Sequence, residues 1–396
     1  MSLNSLAFSE VPPRETGRVG FVGISSRGRE GSRENTGNYL HGFAARQILG
    51  DYQNLSVDRL LNHPVDELRE KLSHVAFVAA TTIKVNDQAQ TFADGHTRLA
   101  TAIEKLGLPV IVFGLGAQAR LGQAVATAEV SEETRRLLAV LSHHSSKIAV
   151  RGEFTADLCR HLGIDNVEVI GCQSCFLSCR PDFRMPELEE HPDPRRMIIN
   201  ITRHSQELPL LRWAMANGAT MIGQSSHFEY ALARTEEVAT FSALPDHVRS
   251  LATKGLQNVF NSGSLDFGEF HTWVKQGFSQ FYSMPPWFDK LATGFHASIG
   301  TRFHGNMTAM QAGLPSLWVV HDSRTREFCD HLGLPNVPLE LIQKEFSMGE
   351  LFERFYETRT FRRKYPSNYR RFYDYLQGQS VPHRLAPPLP SSTALD

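Results

Sequence analysis

Short apolar runs alternate with amphipathic stretches of helical length along most of the chain. In the first half, Arg18–Ile24 (RVGFVGI), His74–Ala80 (HVAFVAA), Pro109–Gly114 (PVIVFG) and Lys147–Val150 are apolar with little polar alternation. That pattern predicts strands covered on both faces. Between them, Gly37–Leu49, Val65–Leu72, Arg98–Lys105, Glu132–Leu141 and Thr155–Leu162 place apolar residues at helical spacing. Strands separated by such helices imply parallel sheets with right-handed crossovers.

The alternation stops at Arg180–Arg196 (RPDFRMPELEEHPDPRR), which holds four prolines, mixed charge and no apolar period. This is linker composition. It then restarts, with Leu208–Ala216 predicted as helix and Met197–Ile201, Ala219–Gly223, Asn258–Phe260, Ala297–Ile299 and Pro315–Val320 as strands. The expected fold is α/β, with two Rossmann-like lobes of parallel sheets and an interlobe cleft. Residues 1–180 form the first lobe, 181–196 the linker, 197–350 the second lobe, and 351–396 a C-terminal helix and tail. The stretch Phe352–Leu376, rich in Arg, Tyr and Phe, is expected to pack back across the lobes. Open α/β sheets bind ligands at the carboxyl ends of their strands, so the cleft is the expected site.

Composition narrows the classes. The 396 residues carry 41 basic and 42 acidic side chains, a net charge of −1. Dedicated nucleic-acid binders are strongly basic, so no nucleic acid is expected as a partner. The apolar run Leu108–Leu115 is far shorter than the ~20 residues of a membrane helix, so no integral membrane segment is expected. The opening MSLNSLAFSEVPPRE lacks the basic and apolar regions of a secretory signal. Five cysteines suit reduced thiols and a cytoplasmic location better than a disulfide framework.

The segment His296–Pro335 carries the most chemistry: HASIGTRFHGNMTAMQAGLPSLWVVHDSRTREFCDHLGLP. It reads as a strand, a turn at Gly300, a helix over Asn306–Gln311 closed by Gly313, and a further strand. Arg302 and His304 then stand on a strand-to-helix turn, where free N–H groups and the helix dipole attract anions. A guanidinium there can grip phosphate or carboxylate through two bonds. An imidazole two residues on can move a proton near neutral pH. Gly305 would let a ligand approach the backbone. Alone, Arg-x-His-Gly is more often a structural turn, and its place at a strand's carboxyl end shifts the balance toward function.

This stretch resembles the polysaccharide pyruvyltransferases, whose signature is an apolar strand, Arg-(Leu/Phe)-His-Gly, a helix ending in Gly-x-Pro, a strand, then Asp and a charged helix. Here Gly300, Arg302-Phe303-His304-Gly305, Gly313-Leu314-Pro315, Asp322 and Leu332-Gly333-Leu334 follow in that order. Asn35-Thr36-Gly37-Asn38, Phe113-Gly114-Leu115-Gly116-Ala117-Gln118 and Ala149-Val150-Arg151-Gly152-Glu153 are fainter echoes in the first half. The resemblance implies a GT-B-like arrangement and transfer of a pyruvyl group from phosphoenolpyruvate to a sugar hydroxyl pair as a ketal. It implies a role for the chain in the biosynthesis of a polysaccharide such as an exopolysaccharide. The donor carries a phosphate and a carboxylate, for which Arg302, Arg203 and Arg151 are the candidate cations. His304 is the candidate general acid or base, and Gly305 and Asn38 complete the substrate-binding set. Phosphoenolpyruvate enters as substrate, and neither a cofactor nor a metal is expected. A saccharide is the expected acceptor, and the oligomeric state, a homo-oligomer included, stays open. Asn38 stands where the family often has Asp, and Gly152 where it has Asp, so the acceptor is the less defined partner. The alternatives are a GT-B glycosyltransferase using a nucleotide sugar, or a non-catalytic sugar- or phosphate-binding protein of the same fold.

Other signals have plainer readings. Cys172, Cys175 and Cys179 fall short of four zinc ligands and sit in apolar sequence, so they read as buried thiols. Gly17–Gly31 has glycines and arginines but no G-x-G-x-x-G spacing, and reads as a mobile loop over the cleft. Arg362-Arg363-Lys364 and Arg370-Arg371 read as a solvated helix face.

Overall fold

A computed structural model describes residues 19–50, 52–120, 122–188, 191–202 and 204–390. Its first half contains strands β1 (Val19–Gly23), β2 (Gln53–Asn54), β3 (His74–Val78), β4 (Ile83–Lys84), β5 (Val110–Leu115), β6 (Ala117–Gln118), β7 (Ile148–Val150) and β8 (Val167–Val169). The second half adds β9 (Met197–Asn200), β10 (Thr220–Gly223), β11 (Phe278–Gln280), β12 (Ala297–Gly300), β13 (Ser316–Val320) and β14 (Asn336–Pro338). Two six-stranded sheets result, in the orders β2-β1-β3-β5-β7-β8 and β11-β10-β9-β12-β13-β14, and β4 and β6 pair apart from both. Every pairing is parallel. The fold is thus two Rossmann-like α/β lobes, as the alternation predicted. Strand order reverses direction between β1 and β3 in one lobe and between β9 and β12 in the other. Ligands of open α/β sheets bind at such reversals.

The continuous apolar runs have the expected cause. All six residues of β5 and all five of β13 are buried, because helices cover both faces of each sheet. One hydrophobic cluster joins the lobes, with Phe113 from the first, Ile198 and Trp318 from the second, and Phe372 and Tyr375 from the C-terminal helix Arg359–Gly378. The Tyr375 hydroxyl donates to Val112 O at 2.8 Å and accepts from Val112 N at 3.1 Å. These groups lie beside the register shift between β5 and β7, and the phenol supplies partners there. Arg371 donates to Val169 O and Asn368 to His331 O, so the helix touches both lobes.

Three local expectations are corrected. Asn258–Phe260 is not a strand but part of the helix Lys254–Asn261: Thr253 caps it through Leu256 N, and Leu256, Val259 and Phe260 bury one face. The strand in its stead is β11, a short edge strand, half-buried throughout, whose sequence has no apolar run to mark it. The helix expected over Asn306–Gln311 begins at Phe303, so His304 and Gly305 lie in its first turn and not before it. Phe303 is drawn inward by stacking on Phe328 at 4.1 Å, and its carbonyl accepts from Trp318 Nε1. The glycine-rich stretch expected as a mobile loop over the cleft enters β1 and then ties the lobes together, although Gly17 and Arg18 lie outside the described residues. Gly28 N donates to Tyr282 O at 2.9 Å, and Tyr230 Oη to Glu30 at 2.7 Å. Among the described residues no helix is long and apolar enough to cross a membrane.

Candidate functional site

The site is built at the strand reversal of the second lobe. Gly300 pairs with Asn200 where β12 and β9 end side by side. Its φ is +152°, and a Cβ there would stand 2.0 Å from Asn200 O, so this junction requires glycine. Asn306 locks the turn that follows: its Oδ1 accepts from Ser298 Oγ and Asn200 Nδ2, and its Nδ2 donates to Gly300 O. At Gly305 a Cβ would come within 2.2 Å of Asn200 Oδ1 and 2.5 Å of Gln224 Nε2. The close approach that the sequence assigned to a ligand is therefore made by two protein amides.

Arg302, the N-cap residue, is half-buried and holds Ile201 O and Ser225 Oγ. Burial lowers its pKa to about 10, Glu207 and Glu229 oppose that shift, and Arg324 adds to it. It remains a cation at neutral pH. Arg203, the other second-lobe cation expected here, lies outside the described residues. Its neighbour His204 brings Nε2 to 2.6 Å from Glu229 Oε1, an ion pair when the imidazole is protonated.

His304 faces the first lobe. Its ring lies 4.0 Å from that of His41, centroid to centroid, and its Nε2 is 3.8 Å from Cys172 Sγ. His41 belongs to the helix Tyr39–Leu49, which starts just after Asn38. Asn38 is half-buried at the end of a turn whose Thr36 N donates to Gln224 O across the lobe boundary. Arg151 is only 1% exposed at the end of β7. Its Nε donates to Gly114 O at 2.8 Å, Nη1 to Thr81 Oγ1 at 3.3 Å, and Nη2 to His41 Nε2 at 3.2 Å. Its guanidinium also lies 5.2 Å from the centre of the Phe328 ring. Arg151 thus gives three of its five N–H donors to the protein and reaches His304 by way of His41.

A guanidinium only donates, so His41 Nε2 is an acceptor and Nδ1 carries the proton. Nδ1 lies 3.4 Å from Cys172 Sγ, the acceptor open to that N–H, and 3.3 Å from the Gln173 amide nitrogen. Among the described residues His41, Cys172 and His304 also form the one group of three metal-ligating atoms, all within 4.8 Å. The tautomer of His41 and the charge of Arg151 beside it fit a hydrogen-bonded chain better than a cation site. Burial first, then the charges of Arg151 and Arg324, holds His304 well below the usual histidine range. Burial, His304 and Arg151 do the same for His41. Burial raises the Cys172 thiol, with Arg151 opposing. The cluster is therefore two neutral imidazoles and a thiol at neutral pH.

Arg324 stands beside this cluster, donating to Asp322 Oδ2 at 3.0 Å and Thr81 Oγ1 at 3.3 Å. Asp322 caps the helix Ser323–Leu332 and lines a cavity of about 550 Å³ with His321, Asn86, Asp87, Gln118 and Arg120. The cavity draws on both lobes and is rich in amide, carboxylate and guanidinium groups. Sequence reading passed over His41, Arg324, His204 and Glu229, and took Cys172, which is buried here, as a buried thiol without a place in the site. The one local hint was His41, a turn after Asn38 on a helix with an apolar inner face.

Comparison with known proteins identifies the whole. The family model described as polysaccharide pyruvyl transferase matches residues 35–323. No curated protein matches the chain. Among solved structures, S. aureus MnaA bound to UDP is 8% identical, with a TM-score of 0.41 over 91% of this chain and 97% of that one. The Methanocaldococcus jannaschii UDP-GlcNAc 2-epimerase, in complex with UDP-GlcNAc and UDP, is 10% identical, with a TM-score of 0.37 over 81% and 88%. The matched span runs from the Asn35 turn, through Arg151 and the Arg302–His304 turn, to the start of the Asp322-capped helix, and the chain belongs to the polysaccharide pyruvyl transferase family.

Proposed function

We propose that the chain transfers a pyruvyl group from phosphoenolpyruvate to two hydroxyls of one saccharide, releasing phosphate and leaving a ketal. One observation carries this reading: a cationic Arg302 and a neutral His304 stand two residues apart at the strand reversal of the second lobe. Donor C3 takes a proton, leaving an oxocarbenium-like C2 between the carboxylate and the phosphate ester oxygen. The first sugar hydroxyl bonds to C2 and gives up its proton. The C2–O bond to phosphate then breaks, the second hydroxyl bonds to C2, and its proton leaves with hydrogen phosphate. Of the two hydroxyl protons, one ends on the new methyl group and one on phosphate, so the sum balances.

Arg302 is placed to hold the anionic donor through a planar fork. His304, held neutral by burial and by two guanidinium groups, suits removal of a hydroxyl proton. The polar cavity around Asp87, Asn86 and Asp322 suits a saccharide acceptor. The acceptor is then a sugar of a cell-surface polysaccharide or its precursor, met in the cytoplasm. Phosphate release from phosphoenolpyruvate with a panel of glycans tests the reading. His304→Asn is expected to lower turnover at least about 100-fold with its melting temperature unchanged. Near-normal turnover in that variant, or stabilisation of the wild type by UDP- or GDP-sugars alone, would overturn it.

A further inference from the structure

The reaction just described moves protons in both directions. Carbon C3 must receive one while a hydroxyl loses one, and neutral His304 suits the second task only. A partner that holds its proton at neutral pH is needed, at the same strand ends and within the field of Arg302.

His204 and Glu229 meet those requirements. His204 lies in the segment after β9, and Glu229 on the helix His227–Leu232 that follows β10. Strand β9 is hydrogen-bonded to both β10 and β12, so these residues and Arg302 crown three adjacent strands. Glu229 is 1% exposed, and a carboxylate buried that fully keeps its charge only where a cation or hydrogen-bond donors stabilise it. Its Oε1 lies 2.6 Å from His204 Nε2. The imidazole itself keeps 11% of its surface open, enough to meet a ligand.

We propose that His204, charged and oriented by Glu229, is the second proton-transfer group of this site, delivering the proton to the donor's methylene carbon while His304 accepts one from the sugar hydroxyl. The proposal rests on the phosphoenolpyruvate reading above. Electrostatics agrees with the geometry. Burial alone would lower the pKa of His204, yet Glu229, with Glu207 behind it, outweighs burial and the opposing Arg302, and the net direction is upward. Glu229 moves the other way: burial would raise it, and His204, its own backbone N–H and His227 hold it down. Two histidines flank Arg302 with their pKa values driven apart, the pattern that separates acid from base in a single site. The proton given to C3 is regained from the hydroxyl protons released in the same turnover, so no outside reagent is needed.

The test measures phosphate release across pH 5.5–9.5 for wild type, His204→Asn, Glu229→Gln and Glu229→Asp, with thermal melting with and without phosphoenolpyruvate. The proposal expects turnover in His204→Asn and Glu229→Gln to fall at least about 100-fold while phosphoenolpyruvate still raises the melting temperature. It also expects the alkaline limb of the Glu229→Gln profile to move to lower pH, because the imidazolium loses its anion. Glu229→Asp should recover part of the loss, which a purely structural carboxylate would not do in the pH profile. Turnover within threefold of wild type in both variants, with the alkaline limb unmoved, would overturn the role of the pair. If Glu229→Gln does not fold, His204→Asn decides. A wild-type protein that neither responds to phosphoenolpyruvate nor releases phosphate would instead overturn the donor assignment, so the two failures are distinguishable.

Discussion

Replacing Arg151 by Lys tests whether its guanidinium serves the scaffold or a ligand. The planar fork reaches three acceptors in different directions: Gly114 O, Thr81 Oγ1 and His41 Nε2. A single ammonium on a flexible stem can satisfy one of these well, because its donors converge on one point. Two acceptors then lose a charged donor in a site that is 1% exposed. Each buried group left unmet costs about 1–3 kcal/mol, so the variant should be about 2–6 kcal/mol less stable. Loss of contact with the Phe328 ring adds about 0.5–2 kcal/mol. His41 would also lose the bond that sets its tautomer, and turnover should fall with stability. Guanidinium titration at pH 7.5, beside phosphoenolpyruvate affinity by calorimetry, reads both quantities. Stability within about 1 kcal/mol of wild type, together with lost donor affinity, would refute the reasoning and make Arg151 a direct ligand of the donor.

Three further outcomes follow from the same geometry. Tyr375→Phe removes the hydroxyl that serves both Val112 N and Val112 O, and unfolding titration should show a loss of about 2–4 kcal/mol, with no change pointing to water in its place. Gly305→Ala forces a methyl against the Asn200 and Gln224 amides and should cost about 1–3 kcal/mol, with turnover falling further as the His304 turn shifts; a neutral effect would mean that the amides simply swing away. His304 and His41 have folded-state pKa values below that of the unfolded chain, near 6.5, so the unfolded state binds more protons as pH falls below that value. Their stability contribution is present above about pH 6.5 and is lost progressively as pH falls below that value. His204, raised in the fold, acts oppositely: its contribution is full below about 6.5 and is lost as pH rises through its folded-state pKa. Unfolding titrations at pH 5.5 and 7.5 should therefore show lower stability at the acid value, and a flat response would contradict the burial of the two neutral imidazoles.

What the sequence by itself determined is what neighbouring residues decide together. The unbroken apolar runs of β5 and β13 exist because both faces of each sheet are covered, and that demand is written residue by residue. The turn from Gly300 to Gly305 was legible for the same reason: glycine, cation and imidazole fall within six consecutive positions, although the helix starts three residues earlier than the pattern predicted. Edge strand β11 was not legible, because three half-buried residues leave no pattern. Tertiary structure decided the partners of that turn. His41 and Arg151, 110 positions apart, meet through the folding of the first lobe, and Cys172 and His304, 132 apart, meet because both sheets turn the carboxyl ends of their strands toward one junction. Within the second lobe, the pairing of β9 with β10 and β12 turned Gly305 from an opening for a ligand into a seat for Asn200 and Gln224, and brought His204 to Glu229. Charges and protonation states at this site are set by burial and by residues distant in sequence, and both arise only in the folded tertiary structure.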